Sequence, residues 1–144
     1  MTDELTQNSI TTVREFLSAL ELNALDEAAE LLDPDIVWKN SSLPDVRGAR
    51  RVIGVMRGLE GDRFGFAVDI HHIAAESEQV VLTDRTDYLR FGPVRIAFWV
   101  TGTFRLREGR IVLWQDRFSF ENFFRGVAVG LFRAVFARDA VQRL

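Results

Sequence analysis

The amino-acid sequence predicts an α+β fold in which helices come first and a meander of long antiparallel strands follows. Three observations carry that reading. Apolar residues recur at helical spacing in the first part of the chain, and from Phe64 onward they recur with a period of two. The strand candidates are separated by "AAESE", "FGP" and "REG", turns short enough only for antiparallel neighbours. A final amphipathic helix closes the sequence. A curved sheet, mixed but mostly antiparallel and wrapped around the N-terminal helices, would make a cone with a pocket inside.

Each element has its own signal. Ile10, Val13, Phe16, Leu17 and Leu20 line one face of a first helix, for which Thr12 and Glu15 offer a capping box. A second helix starts at Asp26, carries Ala28, Ala29, Leu31 and Leu32, and is stopped by Pro34. "IVWKNSSLPDVRG" reads as a short extended piece running into a loop, and "ARRVIGVMRGL" as a third helix weakened by two glycines. Strands are expected near 64–75, 79–91, 94–107 and 110–120. The tail "NFFRGVAVGLFRAVFARDAVQRL" forms a helix with Phe124, Val127, Leu131 and Val135 on one stripe. Its arginines suit a membrane-surface helix, but the expected role is to close the pocket or lie in a dimer interface. Gly126 and Gly130 form a G-x-x-x-G, which carries no weight outside a membrane span.

Composition narrows the function. With 144 residues, 47% hydrophobic and 27% charged, residues 1–144 are read as one globular domain with a real core. The net charge of −3 gives no basic patch for nucleic acid. The absence of cysteine removes disulfides, thiolate metal sites and cysteine nucleophiles together. "MTDELTQNSITT" is acidic and polar, unlike a signal peptide, so the expected location is cytoplasmic, and no run is long enough to span a membrane. His71 and His72 are adjacent on a strand and face opposite ways, so they cannot share a metal. No G-x-S-x-G or nucleotide-binding glycine loop occurs in context.

The charges inside "VVLTDRTDYLRF" need explaining. Alternation puts Arg85 and Asp87 with Val81, Thr83, Leu89 and Phe91, and leaves Asp84, Thr86 and Tyr88 on the other face. In "RIVLWQDRFSF", Asp116 shares a face with Val112, Trp114, Phe118 and Phe120. A lone carboxylate in such apolar company is costly unless it is paired or protonated. The planar fork of Arg85 suits a bridge between Asp87 and Asp116. Such a triad is either a structural ion network or a device that keeps one carboxyl protonated and the other ionised, a general acid beside a general base. Water addition to a strained ring needs both at once.

These residues resemble the limonene-1,2-epoxide hydrolases, on the cone-shaped fold shared with ketosteroid isomerase and nuclear transport factor 2. The likeness runs from the first helix through "WKN", "DRTD", "FGPVRIAFWVTGTF" and "GRIVLWQDRFSF". It implies an Asp-Arg-Asp triad in which Asp87 is the acid, Asp116 the base and Arg85 the bridge. The family holds its attacking water with a Tyr-x-Asn pair; here Asn40 is kept and Trp38 replaces the tyrosine. The donor-only indole N–H can stand in for a donating phenol, while its bulk would equally narrow the pocket. The resemblance further implies hydrolysis of a lipophilic epoxide to a vicinal diol, no metal, no cofactor, and a homodimer. Phe64, Phe66, Phe98, Trp99, Trp114 and Phe118 are the expected apolar lining. Two alternatives stay open: an isomerase or dehydratase of the ketosteroid type, which would not need Arg85 between two aspartates, and a non-catalytic binding or dimerisation module on the same fold.

Overall fold

The computed structural model describes residues 2–59, 61 and 63–136, without the side chains of Thr2, Asp3 and Phe120. Helix α1 (Thr2–Glu21) buries Val13, Phe16, Leu17 and Leu20, the i, i+3, i+4, i+7 set of one helical face. It begins at Thr2, well before a helix capped at Thr12 would start. Thr12 lies inside the helix and donates from Oγ1 to the Asn8 carbonyl at 3.0 Å, so the box does not form. Asn23, with φ of +57°, ends the helix, and the Ala24 N–H closes back on the Ala19 carbonyl at 2.8 Å.

Helix α2 is only Leu25–Glu30, and Pro34 does not stop it. Pro34 lies instead within strand β1 (Leu32–Asn40), in the stretch where β1's pairing is interrupted between Leu32 and Val37. A residue without an N–H is tolerated where the ladder is already broken. The short strand β2 (Val46–Arg47) pairs with β1, and helix α3 (Ala49–Gly58) buries Val52 and Ile53. Then come β3 (Phe64–Ser77), β4 (Val80–Phe91), β5 (Val94–Arg107) and β6 (Arg110–Arg117), within a few residues of the spans that the period of two predicts. Glu108 and Gly109 have φ of +51° and +79°, the pair of positive values that a two-residue hairpin turn demands.

The sheet order is β2-β1-β6-β5-β4-β3, antiparallel except where β1 runs parallel to β6. Register shifts in β3, between Ile70 and His72 and between Ala75 and Ser77, bend the long hairpin. Phe16, Leu17, Ile36, Val81, Phe104, Ile111 and Trp114 form one core between α1 and the sheet's inner face.

Helix α4 (Phe120–Phe136) corrects the expected stripe. β5 pairs with β6 only from Thr101 to Arg107, so its first half has a free edge, and α4 lies against it. The packing face is the glycine one. A Cβ on Gly126 would sit 2.7 Å from the Ala97 carbonyl oxygen, and one on Gly130 would collide with the Arg95 carbonyl. Phe124, Leu131 and Val135 are exposed and Val127 is half-buried. The G-x-x-x-G thus serves close approach of helix to strand edge. Positions 137–144 of the expected tail helix lie outside the described residues. Among the described residues, no helix is long and apolar enough to cross a membrane.

Candidate active site

Strand alternation on β4 aims Val81, Thr83, Arg85 and Asp87 at the interior, as their burial records. Across the sheet, Thr83 stands opposite Gly102 of β5, and Gly102 stands opposite Asp116 of β6. Gly102 presents no side chain between them, so the Arg85 guanidinium reaches across β5 to β6. On β6 the sequence-level face needs one correction. The inward core position is Ile111 rather than Val112, because the β5–β6 register shifts between Arg105 and Leu106. That one-residue irregularity returns Trp114 and Asp116 to the inner face.

Arg85, Asp87 and Asp116 meet there, 0%, 6% and 5% exposed. Arg85 donates from Nε to Asp87 Oδ1 at 2.9 Å and from Nη2 to Asp87 Oδ2 at 3.2 Å. Nη2 also donates to Asp116 Oδ2 at 2.7 Å. The remaining nitrogen, Nη1, donates to Thr83 Oγ1 at 3.2 Å. The guanidinium carbon lies 6.0 Å from the centroid of the Phe104 ring. Asp116 Oδ1 accepts from the Trp114 indole Nε1 at 3.0 Å, so both oxygens of this carboxyl take an N–H. Trp114 is therefore a polar partner of the site as well as a core residue.

The electrostatics separate the groups. Burial pushes the Asp87 carboxyl up to about 6; the Arg85 charge and hydrogen bonds pull the other way, and the Asp116 charge adds to the rise. Burial alone would lower the Arg85 guanidinium, but the charges of Asp116 and then Asp87 outweigh it and raise it above its ordinary value. Two carboxyls around one cation leave room for one proton, and Asp87 is the group whose surroundings favour keeping it.

β1 brings in the other predicted residues. Its parallel register sets Trp38 beside Trp114 and Asn40 beside Asp116. The two indoles stack with centroids 4.5 Å apart and 10° between planes. Ser41, just beyond the strand, donates its backbone N–H to the Asp116 carbonyl at 2.9 Å and fastens this end of β1 to β6. The Trp38 Nε1–H is buried and has no hydrogen-bond acceptor among the described residues.

The expected lining divides. Phe98 stands opposite Asp87 on β5 and packs against Phe118 (5.6 Å) and Phe123 of α4 (5.2 Å). Phe66 is half-buried against the core, whereas Phe64 packs on Phe91 at the far end of the β3–β4 hairpin. Trp99 faces outward, 55% exposed, with its indole N–H on Asp84. It neighbours Phe98 in sequence, and a strand cannot turn both inward. Phe123, Thr83 and Gly102 are the site residues that sequence reasoning missed. Both histidines are exposed, His71 bonding Thr86 Oγ1 at 2.8 Å, and no metal-binding cluster occurs among the described residues.

Residues 7–129 match the limonene-1,2-epoxide hydrolase catalytic domain. The chain is 42% identical over 119 residues to the epoxide hydrolase EphG of Mycobacterium tuberculosis, covering 83% of this chain and 78% of that one. A solved limonene-1,2-epoxide-hydrolase-like epoxide hydrolase from M. tuberculosis superposes with a TM-score of 0.86 at 41% identity, over 90% of this chain and 96% of that one. An NTF2-like protein of unknown function from Burkholderia pseudomallei shares the fold alone, with a TM-score of 0.71 at 20% identity over 83% and 97% of the two chains.

Proposed function

The chain belongs to the limonene-1,2-epoxide hydrolase family and is an epoxide hydrolase of that type; from that premise we propose that Asp87, Arg85 and Asp116 add water to a lipophilic epoxide in one step. The product is a vicinal diol, and no covalent intermediate forms. The observation that carries this reading is the fully buried guanidinium of Arg85, bonded at once to Asp87 (2.9 Å) and Asp116 (2.7 Å).

In this mechanism Asp116 is the general base. It takes a proton from a water that also donates to the Asn40 amide oxygen, and the unpartnered indole N–H of Trp38 donates to that water's oxygen. A nucleophilic water can spare only one accepted hydrogen bond, and Trp38 supplies one. The water oxygen bonds to a ring carbon as the carbon–oxygen bond breaks, and Asp87 protonates the departing oxygen. One proton has then moved from Asp87 to Asp116, and its return across the Arg85 bridge resets the site. Phe98, Phe118 and Phe123 give the substrate's apolar part a wall beside Asp87.

The test is diol formation from a lipophilic epoxide such as limonene oxide in isotope-labelled water, with one label entering each diol. Label-free isomer as the product would sink the reading. The pH dependence follows from Asp87. The acid must carry its proton, and its folded value stands near 6, so kcat/KM should fall as pH rises through about 6. A rate that climbs steadily from pH 5 to 8 would exclude Asp87 as the acid.

The active unit is proposed to be a homodimer joined through the outer face of the sheet. Trp99 (55% exposed) and Leu82 (44%) stand out there. Asp69 and Asp84 lie toward the β3–β4 side and Arg105 and Arg117 toward β5–β6, so a two-fold axis would set opposite charges against each other. Wild type should sediment at twice the 16.4 kDa chain mass, and Trp99→Glu at the chain mass itself. A monomeric wild type at micromolar concentration would refute the dimer.

A further inference from the structure

The guanidinium of Arg85 has three nitrogens, and the two carboxyls engage only Nε and Nη2. The third, Nη1, donates to Thr83 Oγ1 at 3.2 Å. Thr83 is 4% exposed and sits one inward position before Arg85 on β4. Its cross-strand neighbour is Gly102, which in turn faces Asp116. The guanidinium occupies the space that a side chain at position 102 would take. A Cβ there would lie 2.6 Å from Thr83 Oγ1 and 3.2 Å from Asp116 Oδ1, and would overlap Nη1 of Arg85. Gly102 has no positive φ to satisfy, so its need for glycine is a need for room.

We propose that Thr83 and Gly102 are positioning residues for the hydrolysis: the Thr83 hydroxyl anchors the free arm of the guanidinium, and the bare backbone of Gly102 leaves the slot in which its plane lies. The bidentate pairing with Asp87 fixes one edge of the plane but not its tilt toward β6. A third anchor on Nη1 removes that freedom and keeps Nη2 on Asp116. Take the hydroxyl away and Nη1 becomes a buried donor without its acceptor, which the guanidinium relieves by tilting, at the expense of the Asp116 bond. Neither residue touches water or epoxide in this scheme; both act through Arg85, and the inference rests on the proposed mechanism.

Thr83→Val removes the oxygen at nearly constant shape, Thr83→Ser keeps it, and Gly102→Ala fills the slot. A hydrogen bond to a charged group is worth roughly a ten-fold change, so kcat for the valine variant should fall about ten-fold or more with KM nearly unchanged. The serine variant should recover to within about two-fold of wild type. Gly102→Ala should lose kcat in the same way while keeping the wild-type circular dichroism. A valine variant with wild-type kcat, a serine variant no better than valine, or an alanine at 102 without effect would each overturn the part of the proposal it addresses. A second readout does not depend on turnover. Nitrogen-15 NMR of the Arg85 side chain should record slow rotation about Nε–Cζ in wild type and Thr83→Ser, and faster rotation in Thr83→Val. If wild type hydrolyses no epoxide, the proposed mechanism fails; equal rotation rates in all three proteins overturn the anchor itself.

Discussion

Asp87→Asn is expected to abolish diol formation, with kcat reduced about a thousand-fold or more while the chain stays folded. Asparagine keeps the size of the side chain and one acceptor for Arg85 but sets its NH2 against the other donor, since Nε and Nη2 each bond one Asp87 oxygen; loss of turnover in a variant that still melts as a folded protein reports the missing proton. An alkoxide is a poor leaving group in water, and an amide N–H can only offer it a hydrogen bond. Asp116→Asn should be inactive for the complementary reason: an amide cannot take the proton of the attacking water. Here asparagine also sets an NH2 against Arg85 Nη2 or Trp114 Nε1, both of which donate to Asp116. Some stability should be lost in each variant, because both oxygens of each carboxyl accept an N–H. Product quantified against time, with a thermal melt of the same sample, decides it. An Asp87→Asn enzyme that keeps a tenth of wild-type turnover would remove Asp87 from the acid role.

That experiment could be planned from the sequence because the three charged residues obey the simplest rule a strand has. A period of two assigns Arg85 and Asp87 to one face, and apolar neighbours mark that face as the buried one. The same rule placed Asp116 correctly and Val112 wrongly, since a register irregularity between them lies in the pairing with β5, which β6's own residues do not reveal. Trp99 failed differently. Its aromatic character suggested lining, although its parity is opposite to that of Phe98. The hydrogen bonds from Arg85 to Thr83 and from Trp114 to Asp116 join residues two apart on one strand, and their meaning depends on what stands across Gly102. Side-chain donors of that kind become visible only once three strands are in register. Helix α4 shows a related limit. Its apolar stripe predicts a buried face, but the element it meets is a bare strand edge, and backbone carbonyls select glycines over phenylalanines.

Replacing Arg85 should have the largest effect on stability. Arg85→Met fills a similar volume without charge and leaves Asp87 and Asp116 buried with no counter-ion. Breaking a buried ion pair from one side costs about 3–5 kcal/mol, because the abandoned charge has neither water nor partner. The pH dependence gives that loss a sign. In wild type the folded Asp87 binds its proton more tightly than the unfolded chain does, near 6 against 3.8. Its contribution to stability is therefore present below 3.8 and is lost as pH rises through about 6. Arg85 is the influence that opposes this rise. Without it, burial and the neighbouring Asp116 act unopposed, and stability should fall more steeply with pH and over a wider range. Urea midpoints at pH 5 and pH 8 test this: Arg85→Met should be close to wild type at the lower pH and far below it at the higher. The proposed mechanism needs the cation between the two acids, so this variant should also be inactive at every pH at which it folds. A variant equally stable at both pH values would mean that the carboxyls are not confined with each other as the geometry requires.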